Sequence, residues 1–302
     1  MSQAAKAHAN NLTALAQSHG RLIDEALMSL ELEVAKLIDG LPTQAGALND
    51  LSAAIDIRRG LREAIEAELL VPYNDIVDSL DEVVAGVASQ YQSQLVGGIL
   101  PSGQASVIAE LKRLTFSGFE DIANAHLDTM ARFVYQSTLV GEASTDLVQR
   151  IRHSINGVYI RANSDEINDL VEFVRDNKDD PAKAEAVDQA ISRLQREYAS
   201  DRAGNNLKKY VGVYSHDSLM QFSANINFSV AKELGADKWV YFGALVEDSR
   251  EFCQKYKDQV FTTEQINDIW ANESWAGKSA GNPFIVRGGY RCQHHFRATF
   301  DD

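Results

Sequence analysis

The chain has 302 residues, enough to bury a sizeable core and to form roughly two domains. Hydrophobic residues make up 45% and charged residues 24%, an ordinary globular balance, and no run is long enough to span a membrane. The net charge of -14 argues against a surface that grips nucleic acid all over, because a polyanion needs a positive face; a local basic patch stays open.

Met1-Ser2-Gln3-Ala4-Ala5-Lys6 has no apolar signal core, which makes a cytoplasmic origin the expectation. The apolar spacing that follows is helical. Leu12, Leu15, His19, Leu22, Ala26, Leu30, Val34, Leu37 and Leu41 step by three and four, a stripe along one face of a long helix. Leu51, Ile55, Ile65 and Leu69 suggest a second helix, and Ile76, Leu80, Val83 and Val87 a third. The five prolines, Pro42, Pro72, Pro101, Pro181 and Pro283, are expected at breaks, since helix interiors exclude proline. Gly97-Gly98-Ile99-Leu100-Pro101-Ser102-Gly103 is a loop.

An amphipathic stretch runs from about residue 105 to 139. Gly141-Glu142-Ala143-Ser144-Thr145 breaks it, with Ser144 or Thr145 placed to cap a short helix carrying Leu147, Ile151 and Ile155. Residues 161–201 are highly charged and read as an insertion of two surface helices divided at Lys178-Asp179-Asp180-Pro181. Asn206 to Leu234 is one more helix, ended by Gly235.

The pattern changes after Gly235. Trp239-Val240-Tyr241-Phe242 favours a strand. Asp248-x-x-Glu251 has the form of a capping box for a helix through Cys253 and Tyr256, and Thr262-x-x-Gln265 of another, for a helix ending near Trp270. Gly288-Gly289 is a turn. From Tyr290 to Phe300 the residues alternate, with Cys292, His294, Phe296, Ala298 and Phe300 on one face and Arg291, Gln293, His295, Arg297 and Thr299 on the other. The fold class is therefore mainly α with a small C-terminal α+β module: an elongated helical body, residues 1–235, followed by a short antiparallel sheet with helices, residues 236–302.

The tail holds both cysteines of the chain, too few for a disulfide framework. Cys253, Cys292 and His294 are ligand types that zinc prefers, and a thiolate and an imidazole two residues apart on one strand face can converge on one ion. His295 points the other way, which leaves the fourth position to Asp248 or water. The spacing has no Cys-x-x-Cys pair. The same cysteines also read as buried small hydrophobes, or as a disulfide formed outside a reducing compartment. Asp248 and Arg250 are expected as helix N-cap and a first-turn residue pairing locally, with no activated nucleophile beside them. His216-Asp217 is expected to be a surface pair, because neighbouring residues on a helix diverge. Lys278, Arg287, Arg291 and Arg297, interleaved with Tyr290, Phe296 and Phe300, make the tail locally basic. They suit a contact with DNA or an acidic partner as well as an ordinary solvated face.

These residues resemble the C-terminal module of the phage Mu protein F-like (MuF) family, the minor head or head morphogenesis proteins of tailed phages. The likeness rests on Trp239-Val240-Tyr241, Asp248-Ser249-Arg250, Cys253, Asn282-Pro283-Phe284, Gly288-Gly289 and Arg291-Cys292-Gln293-His294. Upstream, Gly141-Glu142-Ala143-Ser144 leading to Ile151-Arg152 is similar to the family's short helix, and Ala231-Lys232-Glu233-Leu234-Gly235 to the helix that feeds its strand. It spans roughly residues 136–300. The chain departs from the family where Tyr214-Ser215-His216-Asp217 stands in place of Arg-Thr-Glu, and in the charged stretch. No toxin domain is expected after Phe300.

The resemblance implies a non-enzymatic virion component without a required cofactor. It implies a protein present in few copies at the portal inside the head, meeting portal, scaffold or capsid proteins and genomic DNA but no membrane. It would pass through the host cytoplasm during assembly and act in head morphogenesis, DNA packaging or ejection. The residues alone also allow a metal-dependent nuclease or peptidase built on the Cys/His cluster, or a DNA-binding accessory protein using Arg287, Arg291 and Arg297.

Overall fold

The computed structural model describes residues 3–157, 169–170, 173–174, 176–177, 180–187, 189–190, 193, 206–247 and 249–300. The chain is mostly helical, with a small C-terminal sheet of three antiparallel strands and accompanying helices. In order come α1 (Gln3–Asp39), a two-stranded hairpin β1 (Thr43–Gln44) and β2 (Ala47–Leu48), α2 (Leu51–Ile65), α3 (Val71–Gln90), α4 (Gln104–Val140) and α5 (Ser144–Asn156). After the charged stretch come α6 (Leu207–Glu233), β3 (Lys238–Phe242), α7 (Glu251–Tyr256), β4 (Val260–Thr262), α8 (Thr263–Asn272), α9 (Pro283–Val286) and β5 (His295–Thr299). The expected pair of surface helices in 161–201 falls mostly outside the described residues, as does Asp248. No helix among the described residues is long and apolar enough to cross a membrane.

Contacts divide the chain into two compact units. The first takes residues 1–18, 77–115 and 215–302; the second takes 19–76 and 116–214. In the first unit, Leu80, Val83, Val87 and Tyr91 of α3 and its end share a core with Leu12 and Leu15 of α1, Phe222, Ile226 and Val230 of α6, and the sheet residues Trp239, Tyr241, Phe296 and Ala298. The sheet order is β4-β3-β5, with Trp239 opposite Ala298 and Tyr241 opposite Phe296. Period-two alternation turns Trp239 and Tyr241 to the same, fully buried face. Trp239 packs at 4.6 Å from the Phe284 ring and 5.5 Å from Phe228. Asn227 of α6 ties three elements together. It accepts from the Tyr91 hydroxyl at 2.7 Å and donates to the Phe296 carbonyl at 2.7 Å, and Tyr91 in turn accepts from the Ala298 N–H.

In the second unit, Tyr73 stacks on Phe119 with ring centroids 3.5 Å apart. Glu31 of α1 lies 3.1 Å from Arg152 of α5 and accepts from Asn156 at 2.6 Å, a buried charge pair with a third partner. Met28 and Leu32 pack with Val174, Val187 and Ala190.

Several expectations need correction. The helix does not break at Pro72. The backbone runs from α2 through a π turn, Glu66–Leu70, directly into α3, with the Val71 N–H bonded to the Glu66 carbonyl. The wider turn lies just where the proline ring would crowd the carbonyl four residues back, so the chain passes without stopping. Leu51 and Ile55 are exposed; the buried stripe of α2 is Ala54, Ile57, Leu61, Ala64 and Ile65. Neither Ser144 nor Thr145 caps α5. The chain is held extended through Ala143 by a bridge to Ala47, so Ala143 takes the N-cap position and the hydroxyls fall inside the helix. α7 begins at Glu251 with Arg250 in the N-cap position, while Asp248 of the expected capping box lies outside the described residues. The last strand is shorter than the alternation suggests: Arg291 has φ +54° and pairing starts at His295. Other local signals hold. Thr262 and Gln265 make both bonds of a capping box. Gly235, at φ +80°, ends α6, and the Ala236 N–H returns to the Ala231 carbonyl at 2.9 Å.

Candidate functional site

The tail folds so that scattered residues meet at one point. Tyr241 comes from the buried face of β3, Cys253 from the inner face of the short α7, and Cys292 and His294 from the loop that enters β5. Cys253 and Cys292 are free thiols with Sγ atoms 3.8 Å apart, although 39 residues separate them in sequence. His294 turns Nδ1 toward the Cys292 sulfur at 4.0 Å. The ligand atoms of Cys253, Cys292 and His294 all lie within 4.8 Å of one another. The Tyr241 hydroxyl sits 3.3 Å from one sulfur and 3.4 Å from the other. All four residues are buried.

Two glycines make the space. A Cβ at Gly288 would lie 2.7 Å from the Cys253 sulfur, 2.9 Å from the Cys292 sulfur and 3.0 Å from the Tyr241 hydroxyl. A Cβ at Gly243 would lie 2.7 Å from the His294 ring. Phe252 and Phe296 pack on Tyr241, and His294 stacks on it with centroids 5.2 Å apart. Trp275 covers Phe252 and donates its indole N–H to the Gly288 carbonyl at 2.9 Å.

The two thiols are inequivalent. The hydrogen bond from Cys253 holds Cys292 well below the ordinary thiol range. His294, the charge of Arg287 and the Tyr241 hydroxyl act in the same direction, against the cost of burial. The same bond, with burial, pushes Cys253 up. Burial, with the sulfurs beside it, also pushes the Tyr241 phenol up, so its hydroxyl stays protonated next to them. The arrangement is a soft, polarised donor set enclosed in an aromatic shell.

The other expected residues have other roles. Arg287 is not a surface contact. It is 1% exposed, and its guanidinium donates to the carbonyls of Met220 at 2.9 Å, Ile285 at 2.6 Å and Cys292 at 3.1 Å. A planar fork of donors can satisfy several carbonyls at once, which is what lets a cation stay inside here. Lys278 is also committed: it donates to the carbonyls of Trp270 and Glu273 at the end of α8 and lies over the Trp270 and Trp275 rings. Arg291 is exposed and Arg297 half-buried, so the four cations do not form one patch.

The Arg250 guanidinium reaches beyond its own helix and donates to the Tyr290 carbonyl, forty residues on. His216 and Asp217 do meet, at 3.3 Å, and Asp217 accepts from the Arg291 N–H at 3.0 Å, pinning the turn before Cys292. Pro283 opens α9 behind the Asn282 cap, and Gly289, at φ +106°, makes the turn after it.

Sequence reasoning missed Tyr241 and Gly243 as parts of the cluster. Tyr241 shares its strand face with Trp239 and sits in register with Phe296, two residues after His294. The face shared with Trp239 is legible in sequence, while the register with Phe296 is set only by the folded sheet.

Comparison of the chain with protein-family models, curated proteins and solved structures finds no match.

Proposed function

We propose that the chain is a structural and assembly component of a tailed-phage head, a minor head protein that associates with the portal inside the capsid and acts in head morphogenesis, DNA packaging or ejection. One observation carries this reading. The short segments that resemble the MuF family are spread over more than fifty residues, yet they interlock. Trp239 packs on Phe284, Arg250 holds the Tyr290 turn, Cys253 meets Cys292, and Gly288 leaves room for both sulfurs. Motif residues that support one another in a small module behave as determinants of a fold rather than as scattered coincidences.

The burial of the Cys/His cluster favours this over a nuclease or peptidase, since a catalytic metal needs a position that substrate can reach. The DNA-binding alternative loses Arg287 to the interior. An acidic surface suits contacts with protein better than with bulk DNA.

The test is quantitative mass spectrometry of purified virions and empty procapsids from the source phage, with portal subunits as internal standard. The expected result is a few copies per portal. Absence from both particles while the protein is abundant in infected cells would overturn the reading.

A further inference from the structure

We propose that Cys253, Cys292, His294 and the hydroxyl of Tyr241 form a tetrahedral zinc site that locks the C-terminal module. Zinc–sulfur bonds of about 2.3 Å and zinc–nitrogen or zinc–oxygen bonds of about 2.0–2.1 Å at tetrahedral angles require sulfur–sulfur edges near ~3.8 Å and sulfur–nitrogen or sulfur–oxygen edges near ~3.5 Å. The observed edges are 3.8 Å between the sulfurs, 4.0 Å from Cys292 to His294 Nδ1, and 3.3 and 3.4 Å from the sulfurs to the Tyr241 hydroxyl. The Cys253, Cys292 and His294 ligand atoms all lie within 4.8 Å of one another, so movement of the histidine ring toward Cys253 closes the figure.

The surroundings point to a ligand as well. The histidine is buried and turns Nδ1 toward a sulfur that itself lies beside a second sulfur. Side chains are absent at Gly288 and Gly243, where they would occupy the cluster. Two thiolates neutralise a divalent cation, so the loaded site adds no net charge to the interior. On loading, each cysteine thiol gives its proton to solvent as its sulfur bonds the ion, and no oxidant or reductant is needed.

The site is structural by its coordination. Four protein ligands leave no open position, and they come from β3, α7 and the loop into β5, so the ion would cross-link the module. The proposal does not rest on the phage-head reading. Its assays use the purified full chain, so either reading can fail while the other stands.

The experiment loads the thiol-reduced full-length protein with zinc, removes excess ion, and measures bound metal by mass spectrometry alongside the absorption spectrum of the cobalt form. The expected result is stoichiometric zinc and a cobalt spectrum with thiolate charge-transfer and tetrahedral bands. Cys292→Ser and His294→Ala should lose both. Tyr241→Phe should keep the sulfur signature but bind at least about tenfold more weakly, with altered ligand-field bands. Where a cysteine variant fails to fold, chelation of the wild-type protein decides: removing zinc should lower the melting temperature of the reduced chain. Sub-stoichiometric zinc in a folded, reduced chain, or an unchanged melting temperature with chelator, would overturn the proposal. Tyr241→Phe with unchanged affinity and spectrum would overturn the tyrosine's place in it.

Discussion

Single atoms decide the behaviour of the tail. Gly288 is small because two sulfurs and a hydroxyl lie where its Cβ would be, whereas Gly20, inside α1, has nothing within 4 Å of that position. Opposite outcomes are expected from the same substitution. Gly288→Ala should destabilise the chain by about 1–3 kcal/mol through overpacking. Gly20→Ala should stabilise it by up to about 1 kcal/mol, because alanine loses less backbone entropy in a helix. Urea midpoints of both variants check the pair, and equal effects would contradict the close packing. Arg287 makes the same point for charge: its residue type suggests surface, while three carbonyls hold it inside. Arg287→Ala should cost at least about 2 kcal/mol, since it leaves buried carbonyls without donors. A protein that keeps wild-type stability as Arg287→Ala would rule out that role.

Elements are positioned by a few polar clamps set in apolar faces. Asn227 joins α6 to Tyr91 after α3 and to β5, with both ends of its amide engaged. Its replacement by alanine leaves the Tyr91 hydroxyl and the Phe296 carbonyl each short of a partner, and should cost about 1–3 kcal/mol. Hydrogen exchange should then quicken in β5 more than at the capping box of α8, whose bonds lie elsewhere. Uniform exchange across both segments would argue against a local clamp. Thr262 and Gln265 were legible in sequence because a capping box uses residues three apart. Ser144 was not, because a bridge from the distant hairpin sets where α5 starts.

Acid sensitivity belongs to the chain as a whole, because both compact units carry a buried histidine. His8 in the first and His19 in the second are each pushed down to about 4 by burial. The unfolded chain titrates near ~6.5. Above that value neither state binds the proton and stability is complete. As the pH falls from about 6.5 toward 4, the unfolded state takes up protons that the folded state refuses, so stability is lost across that window. By about pH 5 the loss should be roughly 1–2 kcal/mol for each histidine. Denaturant midpoints at about pH 7 and about pH 5 measure it, and a flat profile would contradict the burial of both rings.

The sequence by itself determined the helical class, the three-and-four stripes of α1 and α3, the glycine stop after α6, the Thr262 cap and the alternation that turns Cys292, His294, Phe296 and Ala298 inward. Each depends on residues within a turn or two of one another, so local geometry suffices. The tertiary structure alone decided that Cys253 meets Cys292, that Tyr241 closes over both, that Arg287 is buried, and that Pro72 lies within a continuous helical run. These outcomes depend on groups far apart in sequence sharing one interior. There, packing and the satisfaction of buried polar atoms outweigh what any local pattern specifies.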